Sequence, residues 1–397
     1  MKKIILITLC VLLIVGAVGC NNKSTPPASD PDEITKTATF ASKPRTLNSG
    51  TSELRTLNNT YYCLTKEKEL NVAFIGGSIT VGFGGSKTGG WCALTTEWLE
   101  EQYPDATINY TNAGLGGTSS MWGLFRLDNE VMCAKPDLIF IEFAVNDAGF
   151  GLEKNQSAAF MDAMIRKINT ELPQTDIVLV FTTNEGHLGK DFENLVAHRE
   201  VAQYYGIPCI DVGKALIEEM EQLGEEWSNY SDDYAHPNNK GYKKYFETVR
   251  ENLKNMLDEA NGAGTKTNHT LNKTPYTSNT PSKVVRLLPK DITYNEDWRY
   301  DDSVSHGMHY DTALIAVKKG AKITIEFEGC MIGYAGYVKK NATIKVSIDG
   351  KYEKTVTSGS KENGIECLLY DNLAEGKHTL TIEYVSGFFS IGSVLIG

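Results

Sequence analysis

Four short segments bring hydroxyl, amide, imidazole and carboxylate groups to places where apolar runs give way to loops. In Phe74-Ile75-Gly76-Gly77-Ser78-Ile79-Thr80, two glycines directly precede a serine. Glycine lets the backbone turn sharply and lets a ligand come close, so Ser78 would present its hydroxyl at a strand end. Alone, the segment also fits a plain Gly-rich turn with a capping serine. In Asn112-Ala113-Gly114-Leu115-Gly116-Gly117-Thr118, the glycines permit positive φ, and an exposed backbone N–H there could donate to a developing oxyanion. A phosphate-binding loop competes, but the spacing departs from GxxxxGK[ST] and no Lys follows. The third segment, Glu142-Phe143-Ala144-Val145-Asn146-Asp147, carries in Asn146 a side-chain amide able to make the same donation. The fourth is Asp232-Asp233-Tyr234-Ala235-His236-Pro237-Asn238. An Asp three residues before a His can hold the imidazole ring, leaving it ready to take a proton and later return it. A lone Asp-x-x-His is otherwise a common helix cap.

In this order and spacing, the four segments resemble the SGNH branch of the GDSL-type hydrolases. That family carries a Ser in a G-D-S or G-G-S turn, then a Gly, then an Asn in a G-x-N-D-like segment, and finally a D-x-x-H block. The resemblance spans roughly 200 residues, a usual domain size. It implies a flavodoxin-like α/β domain and acyl transfer through a covalent intermediate, with no cofactor and no metal. Carried over, it makes Ser78 the nucleophile, His236 the general base and acid, and Asp233 the residue that orients His236. The oxyanion hole would be the backbone N–H groups of Ser78 and Gly117 with the side-chain amide of Asn146. Gly117 is preferred to Gly114 and Gly116 because the family block runs N-x-x-x-x-G from Asn112. Gly77 stands where many members have Asp, and Ala144 where many have Gly. Asp232 rivals Asp233, but only Asp233 has the three-residue spacing to His236. Of the other histidines, His187 follows the fourth strand and could line a pocket, and His198 falls in an amphipathic helix. His269 lies in a linker, and His306, His309 and His378 lie in or near the second domain.

The elements that would position these residues can be read from apolar periodicity. β-Branched, apolar runs at Asn71–Ile75, Thr107–Tyr110, Asp137–Phe143, Asp176–Thr182 and Ile207–Val212 predict five buried strands. Between them, Trp91–Gln102, Ser119–Met132, Ser157–Leu172, Asp191–Tyr205 and Lys240–Leu257 have helical period. Continuous apolar strands alternating with helices predict a parallel sheet covered on both faces, with function at the strands' carboxyl ends. Residues 260–282 hold few large apolar side chains and read as a linker. Beyond it, Ala321–Glu328, Ala342–Ile348, Thr355–Thr357, Ile365–Leu369 and His378–Tyr384 alternate apolar and polar, with turn signals such as Asp349-Gly350 and Glu375-Gly376. That texture predicts an all-β sandwich. Its segments resemble a jelly-roll, carbohydrate-binding-like domain of the kind that accompanies SGNH domains in some carbohydrate esterases. The expected division is a signal peptide at 1–20, a flexible tether at 21–55, an SGNH hydrolase domain at 56–259, a linker at 260–282 and a β-sandwich at 283–397.

Lys2 and Lys3 followed by an apolar run from Ile4 to Val18 form a charged n-region and an h-region. Ala17-Val18-Gly19-Cys20 then resembles the lipobox of bacterial lipoproteins, in which the cysteine is lipidated and becomes the new N-terminus. The run is short for a bilayer-spanning helix, which takes about 20 residues. The chain is therefore expected to be exported, facing outward, and anchored through Cys20. The formal net charge of −11, or −13 once Lys2 and Lys3 leave with no acid, argues against a nucleic-acid partner. Cys63, Cys92, Cys133, Cys209, Cys330 and Cys367 remain, and none falls in a metal-ligand spacing. They read best as small buried hydrophobes, though export would allow some to oxidise. Export, tether and β domain together favour an esterase that removes short acyl groups, acetyl first, from a polysaccharide. Trp91 and Trp122 could stack on a sugar, yet both stand in helical stretches, where tryptophan is usually core. A lipid-directed esterase or lysophospholipase of the same fold is the second reading, and an inert glycan-binding surface protein the third.

Overall fold

The computed structural model describes residues 52–86, 90–271, 274–303, 310–337, 342–357 and 366–397. Cys20, the apolar leader, nearly all of the tether, His306 and His309 lie outside them. In chain order the first half runs α1 (Asn58–Tyr62), β1 (Glu69–Gly76), α2 (Ser78–Val81), α3 (Trp91–Gln102), β2 (Thr107–Gly114), α4 (Ser120–Glu130) and β3 (Leu138–Glu142). It continues through α5 (Ala144–Gly149), α6 (Lys154–Glu171), β4 (Asp176–Phe181), α7 (Glu193–Tyr205), β5 (Cys209–Asp211), α8 (Val212–Leu223) and α9 (Asn239–Glu259). The five strands make one parallel sheet in the order β2-β1-β3-β4-β5. That is the flavodoxin-like doubly wound order.

Side-chain alternation explains why the sheet needs helices on both faces. Ala73, Ile75, Ile139, Ile141, Ile177 and Leu179 point into one core with residues of α4, α6 and α7. Val72, Phe74, Leu138, Phe140, Val178 and Val180 point into the other with residues of α3, α8 and α9. Each Val, Leu, Ile or Phe among them gains about 1.5–3 kcal/mol when fully buried, so neither face could stay open to water. Phe74 stacks on Phe140 with centroids 4.9 Å apart, and Trp91 meets Phe74 edge-on at 5.2 Å. Trp91 and Trp122 are each 1% exposed. Both are core residues, out of reach of a sugar.

Caps set the helix starts. Ser119 accepts from the Met121 N–H ahead of α4, and Asn238 accepts from the Lys240 and Gly241 N–H groups ahead of α9. Asp211 does the same for α8 through the Lys214 N–H. The apolar run Ile207–Val212 predicted a strand through Val212, whereas the chain leaves the strand at Asp211 and starts a helix. Val212, Leu216 and Met220 are buried along it at helical spacing. A run this short fits both periods, and the Asp211 cap settles the choice.

The second half is antiparallel β. One four-stranded sheet has the order Glu366–Tyr370, Ile332–Ala335, Ser393–Ile396, Val285–Leu287; another has Tyr352–Thr357, Thr343–Ile348, Gly376–Ser386, Lys322–Gly329. Lys322–Gly329 alternates exposed and buried residue by residue, and residues of both sheets share one core. The first sheet also docks on the α/β half: Met331, Ala335 and Leu395 belong to the same apolar cluster as Met121, Trp122 and Leu124. Residues between α9 and the first β strand are strapped along the α/β half. The Thr267 N–H donates to Asn59, the His269 N–H to the Pro173 carbonyl, and the Thr277 N–H to Asp162. Among the described residues no helix is long and apolar enough to cross a membrane, and the six cysteines are free thiols.

Candidate active site

Ser78 opens α2 directly after β1, and close packing dictates the glycines before it. A Cβ on Gly76 would come within 2.1 Å of Thr80 Oγ1 and 2.5 Å of the Glu142 carbonyl oxygen. A Cβ on Gly77 would lie 2.3 Å from Asn146 Oδ1 and 2.6 Å from Nδ2. Beneath this turn sits Glu142, which accepts from Thr80 Oγ1 at 2.9 Å and Thr182 Oγ1 at 2.8 Å. Burial pushes the Glu142 carboxyl above its ordinary value, against hydrogen bonds from Thr182, Thr80 and the Gly77 N–H. Sequence reasoning quoted Glu142 only as part of a block; its role as a brace for the serine turn comes from the fold.

The ring of His236 stands between the serine and an aspartate. Nε2 lies 2.8 Å from Ser78 Oγ, and Nδ1 lies 2.7 Å from Asp233 Oδ2. Asp233 Oδ1 also accepts the backbone N–H groups of Ala235 at 2.7 Å and His236 at 2.6 Å. Partial burial opposes the charge on Asp233, but these donors and the His236 ring hold its carboxyl below the ordinary value. Ser231 closes the loop, its hydroxyl donating to the carbonyls of Asp233 and His236, and Trp227 Nε1 also reaches the Asp233 carbonyl at 2.7 Å. It is therefore Asp233, not its neighbour Asp232, that holds the ring.

The proposed donors converge on the same edge. Gly117 is exposed with φ +67°, in the left-handed region, and a Cβ on Gly116 would lie 3.6 Å from the Ser78 Cβ. Asn112 ties this loop to the serine turn, donating to the Thr80 carbonyl at 2.9 Å and accepting the Gly114 N–H at 2.8 Å. Asn146 lies in the short helix α5 rather than in a loop, its amide packed against Gly77. Phe83 sits 5.9 Å from the His236 ring, centroid to centroid. It is exposed, like Tyr234 and Tyr110. A cavity of about 390 Å³ lined by Thr80, Phe83, Tyr110 and Asn112 opens beside the serine turn.

A second serine–histidine–aspartate contact has the wrong geometry for proton relay. Ser157 Oγ and Asp147 Oδ2 both meet His198 Nε2, at 3.2 and 3.0 Å, whereas relay needs serine and carboxylate on opposite ring nitrogens. His198 and Asp147 are also fully buried. His187 stacks on Phe192 at 4.0 Å and lines a separate cavity of about 360 Å³ with Lys190, Asp191 and Lys214. His269 pairs with Asp176, and His378 with Asp349. Cys63, Glu67 and Asp137 cluster as metal ligands could, but the Lys266 ammonium already meets Glu67 at 2.8 Å and Asp137 at 3.1 Å.

Residues 74–244 match the family model described as the GDSL-like Lipase/Acylhydrolase family. Among solved structures, a two-domain esterase active on acetylated mannans, co-crystallized with mannopentaose, aligns with TM-score 0.73 and 22% identity. The alignment covers 87% of this chain and 96% of that one. A second structure of a two-domain esterase active on acetylated mannans gives 0.71 and 22% over 86% and 96%. Both share the α/β domain followed by β sheets. No curated protein matches the chain by sequence.

Proposed function

Residues 74–244 form a domain of the GDSL-like lipase/acylhydrolase family, and from that premise we propose that the protein is a serine esterase removing short acyl groups, acetyl foremost, from a polysaccharide. One observation carries the reading: a serine hydroxyl 2.8 Å from an imidazole whose other nitrogen is 2.7 Å from a carboxylate. His236 takes the Ser78 proton as the oxygen attacks the ester carbonyl, and Asp233 stabilises the imidazolium that forms. The carbonyl oxygen, now negative, is met by the N–H groups of Ser78 and Gly117 and by the Asn146 amide. The Ser78 N–H opens a helix, where the first N–H groups have no intrahelical partner. His236 returns its proton to the sugar oxygen as the C–O bond breaks and the alcohol leaves. Water, giving its proton to His236, then attacks the acyl-enzyme, and Ser78 recovers its proton as the acid is released.

The polysaccharide is supported by the matching two-part arrangement of an esterase active on acetylated mannans and by exposed Phe83, Tyr110 and Tyr234, whose faces suit sugar rings. The leader and Cys20 support export and anchoring by lipid at the outer face of the cell membrane, a point that palmitate labelling of wild type against Cys20→Ala decides. Ser78→Ala should abolish hydrolysis of p-nitrophenyl acetate and acetate release from acetylated mannan, xylan, pectin and peptidoglycan. A Ser78→Ala enzyme as fast as wild type defeats the assignment. Preference for long acyl esters over every acetylated glycan would replace polysaccharide with lipid.

A further inference from the structure

Glu366 is a buried acid that the reaction above does not use. It sits on the edge strand Glu366–Tyr370 of the C-terminal half, opposite Ala335, yet its carboxylate faces the α/β half. Oε1 accepts the Ser119 N–H at 2.6 Å, and Oε2 accepts the Ser119 hydroxyl and the Trp122 N–H, each at 3.0 Å. Asp147 Oδ1 accepts the Ser120 N–H at 2.8 Å, and Ser119 Oγ accepts the Met121 N–H. The N–H groups of residues 119–122, which a helix start leaves without intrahelical partners, are thus all satisfied, and two of them by Glu366.

That helix, α4, begins three residues after Gly117, and its other contacts reach the site as well. Arg126, fully buried, donates to the Ala113 carbonyl at 2.5 Å and the Gly76 carbonyl at 3.0 Å. It thereby grips the ends of the two strands that lead into the Gly117 loop and the Ser78 turn. Trp122 lies under the Arg286 guanidinium of the β half at 4.5 Å. Through Arg126, α4 is thus tied to the backbone just before both the Gly117 loop and the Ser78 turn.

We propose that Glu366 is a positioning residue for the esterase reaction: by holding Ser119 and Trp122 it aims the Gly117 N–H at the oxyanion, so the β half is part of the catalytic apparatus. The inference rests on the esterase reading above and deepens it. A β half acting only as a glycan-binding module would change KM on polymers and leave a small soluble ester untouched; a positioning role changes kcat on the small ester.

The test is steady-state hydrolysis of p-nitrophenyl acetate by the full chain. Glu366→Gln keeps the shape but puts an NH2 group against N–H and O–H donors. Outright loss of one oxyanion donor costs roughly 100- to 1000-fold, so a donor merely misaimed should lower kcat about tenfold, with KM within about twofold. Glu366→Asp, which retains the charge, should recover part of that loss. Ser119→Ala keeps both backbone bonds to Glu366 and should lower kcat about two- to threefold, which keeps the test open if Glu366→Gln does not fold. An unchanged kcat in folded Glu366→Gln, or in Ser119→Ala when the first variant does not fold, overturns the inference, as does a loss confined to KM. Wild-type protein inert on p-nitrophenyl acetate and on the acetylated glycans would instead fail the esterase reading, and the positioning role with it.

Discussion

Gly77→Ala adds one methyl group at a place where the structure leaves no room for it. The new Cβ would stand 2.3, 2.6 and 2.6 Å from Oδ1, Cγ and Nδ2 of Asn146. The backbone is not the obstacle, since Gly77 has φ −89° and ψ −151°, outside the left-handed region. Asn146 must yield instead, and restoring ordinary contact moves its amide by about 1 Å, a displacement able to cost on the order of 100-fold in rate. Complete loss of the donor in Asn146→Ala should cost roughly 100- to 1000-fold. On p-nitrophenyl acetate, Gly77→Ala should therefore lower kcat about 100-fold with little change in KM or melting temperature. The two changes should not multiply, because each disables the same amide. Gly77→Ala added to Asn146→Ala should lower kcat by less than about threefold more, which corresponds to a coupling of about 2 kcal/mol or more at a tenfold change per 1.36 kcal/mol. Wild-type kcat in Gly77→Ala would refute the reasoning, and so would losses that multiply in the double variant. Any larger side chain at this position, an Asp included, would likewise need Asn146 displaced.

Two further outcomes follow from the charged groups. Asp233→Asn leaves the loop in place but gives the ring a partner that can hold the wrong tautomer, and kcat should fall on the order of 10⁴-fold, read with the same ester; a fall of less than tenfold would remove Asp233 from the relay. Burial, aided by Asp147, pushes the Glu366 carboxyl up to about 7 against hydrogen bonds from Ser119 and Trp122, whereas in the unfolded chain it titrates near its ordinary value of about 4.3. Between those values the folded protein holds a proton that the unfolded chain has lost, so this contribution is full below about pH 4.3 and disappears as pH rises through about 7, on the order of 4 kcal/mol in all. The urea-unfolding free energy of wild type minus that of Glu366→Gln should fall between pH 5 and 8, and a flat difference would contradict it.

What was legible in the sequence was local or ordered along the chain. The i to i+3 spacing brings the Asp233 carboxylate to the His236 ring within one loop, and the strands around Phe74, Phe140 and Val178 announce themselves because both faces are buried. Ser78 and His236 lie 158 residues apart, and only the order of four blocks along an alternating α/β pattern made the pair readable. Helix α8 was missed because Val212 extends an apolar run that fits either period. The support beneath the site left still less trace. Glu142 accepting from Thr80 and Thr182 looks like any strand-end acid, and Asp147 reads as one letter of a motif until it is seen under Ser120.

Glu366 marks the limit of such reading. Its partner Ser119 is 247 residues away, in the other half of the chain, and Glu366 stands in a segment whose apolar–polar alternation would be satisfied by almost any residue. Nothing local distinguishes it from a surface acid on an edge strand, where charge is the usual guard against unwanted pairing. Its meaning comes only from docking, which turns an outward charge on one half into the cap for a helix on the other. A carboxylate placed there without its helix would be buried and unpaired, a cost of several kcal/mol, and α4 without the carboxylate would start with two orphaned N–H groups. Each half supplies what the other lacks at the residue beside the oxyanion loop. On the positioning role proposed above, the catalytic unit comprises both halves, and the C-terminal half would not be a detachable module.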